Sequence, residues 1–171
     1  MSYCILITLI SFSILAAPVS GANEGKQKGE HEIEVAIKGL LFDQEAQAPI
    51  VILENKTDKA LRPVWIGLCE ARSIEIGRSE TVTPRPLTYD MMAAVFRTLK
   101  ANVDKVVIVD LRDQVYYAQV FVSSNGSVSI IDARPSDALA LAERMSAPIF
   151  VRESVLDKAA VINPEQEKKG I

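Results

Sequence analysis

The most constraining feature of this chain is a dipeptide, Asn125-Gly126, set between "VYYAQVFVSS" and "SVSIIDA", two runs that alternate apolar and polar residues. Asn-Gly fills the positive-φ positions of a type I′ turn at little steric cost, so the segment predicts a two-residue β-hairpin. Such a loop also sets the register, pairing Phe121 with Ile130 and Gln119 with Asp132. Upstream, "DKVVIVDLRDQ" reads as a third strand of the same meander. With a second two-residue turn at Arg112-Asp113 or Asp113-Gln114, Asp110 shares a face with Tyr117, Gln119 and Asp132. The opposite face then collects Val107, Val109, Leu111, Ala118, Val120, Val122 and Ile131 as an apolar set. The first and third strands run in the same direction and bring Asp110 and Asp132 to one end of the sheet, roughly 10 Å apart across two strand spacings. Arg112, Asp113, Arg134 and Asp137 gather around that end.

Elsewhere strand and helix patterns alternate. "HEIEVAIKGLLF" and "PIVILEN" read as paired strands, and "ALRPVWIG" as a third whose Pro63 requires an edge position. "LCEARSIEIGRS" has helical spacing through Leu68, Ala71 and Ile74, with Gly77 as its stop and Cys69 as a small buried residue. In "PLTYDMMAAVFRTLKAN", Met91, Met92, Val95, Phe96 and Leu99 form one stripe expected to face the core. "RPSDALALAERMSA" is a further helix with Ala138, Leu141, Ala142 and Met145 inward, followed by a strand "PIFVRE" and a short helix capped by Ser154. The fold class is α+β: a mixed, mainly antiparallel sheet with three to four helices packed on it, in one domain over 32–158.

The ends differ from this body. Cys4 to Ala17 is an uncharged apolar run followed by small residues, which suits a cleavable export signal over 1–22. It predicts a secreted or periplasmic protein with no membrane span after cleavage; the alternative is an anchor through residues 5–17. Residues 23–31 read as a polar linker and 159–171 as a polar tail. The formal net charge of −3 provides no global basic field, so any phosphate must be held by local groups.

Two helix starts invite that reading. "TPRPLTYD" and "DARPSDAL" each place proline and an acid where a helix begins, which the missing amide hydrogen and the dipole favour. Arginine is opposed by the dipole there, so Arg85 and Arg134 must each gain a carboxylate or a bound anion. For Arg134 the meander supplies Asp110 and Asp132 as candidate partners, and Asp137 in the helix start is another. The bland readings are that Ser136 and Asp137 cap a helix, Glu70 favours a helix start, and Trp65 anchors packing.

The ordered motifs "PVWIGLCEA", "PRPLTYD", "VVIVDLRDQVYYAQV", "DARPSDALALA" and "APIFV" closely resemble the bifunctional nuclease domain family from about Glu32 to about Lys158. The resemblance implies an enzyme that cleaves RNA and DNA. It places acidic, arginine and serine positions at Asp90, Asp110, Arg112, Asp113, Asp132, Arg134, Ser136 and Asp137. The chain departs from it at Tyr89, where relatives commonly carry histidine, and at Gln114, where they carry glycine. The chain's single histidine, His31, lies in the linker, which argues against a histidine general base. Carboxylate chemistry remains: Asp110, Asp132 and Asp137 as catalytic residues and ligands of Mg²⁺ or Mn²⁺, with Arg112, Arg134, Arg85 and Ser136 binding a nucleic acid substrate. Two other classes stay in view, a non-catalytic anion-binding module and a structural homo-oligomer.

Overall fold

The structure, a computed structural model, describes residues 31–79 and 81–161. The expected signal, most of the linker and the tail from residue 162 onward lie outside the described residues. No helix among the described residues is long and apolar enough to cross a membrane.

Chain order is β1 (Glu32–Asp43), β2 (Ala48–Asn55), β3 (Leu61–Trp65), α1 (Leu68–Arg78), α2 (Thr88–Thr98), β4 (Asn102–Arg112), β5 (Val115–Ser124), β6 (Ser127–Ala133), α3 (Pro135–Met145), β7 (Ile149–Arg152) and α4 (Glu153–Lys158). The strands form one seven-stranded sheet ordered β3-β2-β1-β7-β4-β5-β6. Only β7 with β4 is parallel. This is the expected α+β fold, with Pro63 on an edge strand because its missing N–H breaks no ladder there.

The meander forms in the expected register: Phe121 pairs with Ile130, Gln119 with Asp132 and Asp110 with Tyr117. Its first turn is Asp113-Gln114, with φ of 49° and 64°, and its second is Asn125-Gly126, with φ of 51° and 77°. All four residues occupy the left-handed region that a type I′ hairpin requires.

The apolar face is corrected in one respect. A register shift between Ile108 and Asp110 inverts the alternation along β4, so Val106 and Ile108 join Ala118, Val120 and Val122 in the core. Val107 is buried on the other face, opposite Gln119 and Phe150. Ile131 keeps the core side but is half-exposed because β6 is an edge strand.

The helices show the larger corrections. In α2 it is Tyr89, Ala93 and Phe96 that turn inward, at i, i+4 and i+7, while Met91, Val95 and Leu99 are exposed. The run of apolar residues around Met91 and Met92 covers more than one helix face, so spacing alone chose the wrong stripe. Cys69 is exposed, not buried. Gly77 lies inside α1, which continues to Arg78; a Cβ there would meet Arg144 Nη1 at 2.9 Å and Glu143 Cβ at 3.2 Å. Glycine thus lets α1 approach α3 closely rather than ending the helix. Similarly, α4 starts at Glu153, one residue before the expected Ser154 cap.

Helix α3 is the centre of the molecule. Residues Ala138 to Ala142 are all buried, well beyond the single expected stripe, because α1, α2, β4 and β5 surround it. Its alanines let these neighbours come close, while Leu139 and Leu141 each contribute about 1.5–3 kcal/mol of burial. The sheet coils enough that the Tyr116 hydroxyl on β5 donates to the Pro63 carbonyl on β3 at 3.3 Å, although four strands lie between them. Edge strand β3 is thereby brought near the start of α3.

Arg144, on the last turn of α3, locks the three long helices together. Its side chain is only 5% exposed and donates to Asp90 on α2, to the Ser73 carbonyl on α1 and to the Ala140 carbonyl on α3. Asp90 also accepts the Leu87 N–H, capping α2. That backbone bond, followed by the Arg144 bond, holds the Asp90 pKa below the ordinary carboxylate value against the opposing effect of burial.

Candidate functional site

The polar groups that meet at one place come from the first turns of α1 and α3. Gly67 precedes α1 and Arg134 precedes α3, so the unpaired N–H groups of both helices open toward the same region. Arg134, Pro135 and Ser136 line a cleft of about 400 Å³ with Trp65, Ile66 and Gly67 on one side and Gln114, Val115 and Tyr116 on the other. The Pro135 ring fits the first helical position, and Ser136 follows it at 7% exposure. The Ser136 hydroxyl has no hydrogen-bond partner among the described residues, and it lines this cleft.

Arg134 sits at the centre, with its side chain 66% exposed. Its Nε donates to Asp137 Oδ2 at 2.8 Å and its Nη2 to Asp137 Oδ1 at 2.9 Å, while Nη2 also reaches Glu70 Oε1 at 3.0 Å. Nη1 makes no hydrogen bond or ion pair with another described residue, so two N–H donors remain free. Of the partners expected for Arg134, Asp137 holds it and Asp110 and Asp132 do not; Glu70 is the additional partner. Tyr89 completes the cluster, its hydroxyl donating to Asp137 Oδ1 at 2.5 Å.

These contacts set the protonation states. Burial works against the Asp137 carboxylate, but the hydrogen bonds from Arg134 and Tyr89 and the Arg134 charge outweigh it and keep its pKa below the ordinary value. Burial raises the Tyr89 phenol well above its ordinary value, and the hydrogen bond and charge of Asp137 add to that. Glu70 and Asp137 each occupy the third position of a helix, where a negative charge meets the positive dipole end. Two carboxylates, one guanidinium and two dipole ends of about half a charge each make a nearly neutral site.

The other expected site residues lie elsewhere. Asp110, Gln119 and Asp132 share the sheet face that points away from α3, as the pairing required. Asp110 accepts from Lys158 at 3.2 Å and the Leu111 N–H at 2.8 Å and pairs with Arg112 at 3.0 Å. The Lys158 bond first, and then the Leu111 bond, hold its pKa below the ordinary value. Arg112 stacks over the Tyr117 ring at 4.1 Å. Asp132 is exposed and without a partner among the described residues. Arg85 borders a separate cleft beside Cys69 and Arg72, so the two Arg-Pro starts do not share a site.

Asp110, Asp132 and Asp137 therefore do not assemble as one donor set. Among the described residues no group of three or more His, Cys, Asp or Glu side chains is placed to hold a metal ion. The sheet separates Asp110 from Asp137, and both carboxylates are occupied by cationic side chains. The residues do not fit the expected Mg²⁺ or Mn²⁺ centre.

Tyr89 and Glu70 are the members of the cluster whose role the sequence reading missed. Each lies far along the chain from its partner, and only the packing of α1 and α2 on α3 brings them together. The available signal was the acid three residues into both helices, which helix capping explains equally well.

The profile of the Bifunctional nuclease domain matches residues 51–164. Two curated relatives are uncharacterized proteins of Mycobacterium tuberculosis, one from strain CDC 1551 / Oshkosh and one from strain ATCC 25618 / H37Rv. Each is 35% identical over 133 residues, spanning 78% of this chain and 79% of the relative.

Proposed function

Because the chain belongs to the bifunctional nuclease domain family, we propose that it hydrolyses phosphodiester bonds of RNA, DNA or both at the cleft where α1 and α3 begin. One observation carries the reading: two helix N-termini meet at one cavity lined by Arg134 and Ser136, whose Nη1 and hydroxyl have no hydrogen-bond partner among the described residues. Backbone N–H groups, a guanidinium and a hydroxyl are the donors that a phosphate oxygen takes.

Within this reading Arg134 and Ser136 bind the phosphate, and Asp137 and Tyr89 are positioning residues that orient the guanidinium. Glu70 Oε1 is engaged by Arg134, whereas Oε2 has no partner among the described residues, so Glu70 is the carboxylate available as a general base. A water molecule attacks phosphorus as its proton passes to Glu70; the bond to the leaving oxygen breaks, and that oxygen takes a proton from solvent. No step is assigned to a divalent ion.

A second reading is favoured by the same cluster. Two carboxylates already hold Arg134, and the net charge is −3, which suits a non-catalytic module for a small anionic ligand. Cleavage of labelled RNA and DNA by the purified protein, with and without EDTA, separates the two when Arg134→Ala serves as control. EDTA-resistant cleavage lost in the variant supports the enzyme. Ligand binding without turnover supports the module.

The apolar run at residues 4–17 extends the proposal to an exported protein. Fractionation of expressing cells, with sequencing of the mature N-terminus, tests that; cytoplasmic protein starting at Met1 would contradict it.

A further inference from the structure

The first turn of α3 stands between two cavities of different character. Pro135 and Ser136 line the polar cleft, whereas Asp137 lines a groove of about 510 Å³ between α2 and the edge strand β6. The floor of this groove is Val120 and Leu141, both buried, and its walls are Tyr89, Phe96, Met92 and Ile131. Met92 is 38% exposed and Ile131 45%, so the groove is open to entering ligands. Arg134 lines both cavities, making them two parts of one continuous surface.

Resting on the phosphate reading of the cleft, we infer that the groove receives one unpaired nucleobase of the nucleotide whose phosphate Arg134 holds. Aromatic, sulfur-bearing and aliphatic walls suit the face of a flat ring, and the volume lies within the range of small-ligand sites. Among the described residues Arg134 is the only cation lining the groove, so a second phosphate finds no anchor there. An apolar wall alone would fit other ligands; continuity through Arg134 with a phosphate cleft selects the nucleotide. A base in this groove has left its stack and its pairing partner, so the preferred substrate is single-stranded.

The chain's single tryptophan, Trp65, lines the polar cleft and reports its occupancy by fluorescence. The purified protein is titrated with inorganic phosphate, ribose 5-phosphate and AMP. AMP is expected to bind about tenfold more tightly than ribose 5-phosphate, as one stacked base predicts. The Met92→Ala, Ile131→Ala double variant, whose residues are both partly exposed, should lower AMP to the affinity of ribose 5-phosphate and leave inorganic phosphate unchanged. Equal affinities for the two sugar phosphates in the wild type, or an AMP advantage that survives in the double variant, overturns the groove assignment and leaves the phosphate cleft standing. If none of the three probes binds, the cleft and the groove fall together.

Discussion

Tyr89→Phe removes one hydroxyl from the candidate site and nothing else. In the wild type that hydroxyl donates to Asp137 Oδ1, which also accepts from Arg134 Nη2, while Oδ2 accepts from Arg134 Nε. A hydrogen bond to a charged group contributes about 1.5–3 kcal/mol. Asp137 keeps both Arg134 bonds in the variant and its side chain is 29% exposed, so no orphaned charge is left behind. The expected loss is therefore about 1.5–2 kcal/mol, at the low end of that range. For a domain of this size it moves the urea midpoint down by about 0.5–1 M.

The pH dependence carries its own sign. The folded-state pKa of Asp137 is depressed, so its stabilising contribution is present above the unfolded carboxylate value of about 3.9 and is lost as pH falls through the lower folded value. The gap between wild type and Tyr89→Phe should be full at pH 7 and shrink below about pH 4. Urea unfolding followed by circular dichroism at pH 7, 5 and 3 measures it. Equal midpoints at pH 7, or a gap that does not change with pH, would refute the Tyr89–Asp137 linkage.

The remaining predictions concern other parts of the molecule. Arg144→Met, which breaks the bonds joining α1, α2 and α3, should cost about 3 kcal/mol by urea unfolding, whereas Leu99→Ser at the exposed C-cap of α2 should stay within about 0.5 kcal/mol. Asp110→Asn, remote from the cleft, should leave the cleavage rate within about twofold, and EDTA should do the same; a loss of roughly 100-fold in either would restore a metal-centred account. A short single-stranded oligonucleotide should be cleaved at least about tenfold faster than its duplex.

The meander was legible because every step was local. Asn125-Gly126 and Asp113-Gln114 set the turns, and alternation set the faces, so Asp110, Tyr117, Gln119 and Asp132 fell together as expected. The β-bulge at Ile108 was not legible, since no glycine or proline marks it and every residue from Val106 to Val109 is apolar. The exposed stripe of α2 failed for a related reason: apolar residues on more than one face leave spacing without a unique answer, and packing decides in favour of Tyr89, Ala93 and Phe96. At the candidate site the sequence singled out Arg134, Ser136 and Asp137 from the misfit of arginine with the dipole. It offered Asp137 as a partner of Arg134 but missed Glu70, which is supplied by α1, whose packing against α3 depends on Gly77 and the buried Arg144.

The central claim is that Arg134 and the two helix starts hold a phosphate, and the most direct measurement is the kcat/KM of Arg134→Lys on a short single-stranded RNA, relative to wild type. Lysine keeps the charge but not the planar fork that bonds Asp137 while leaving Nη1 free. The account predicts a loss of roughly 100-fold with little change in the urea midpoint. Wild-type activity in this variant would contradict it.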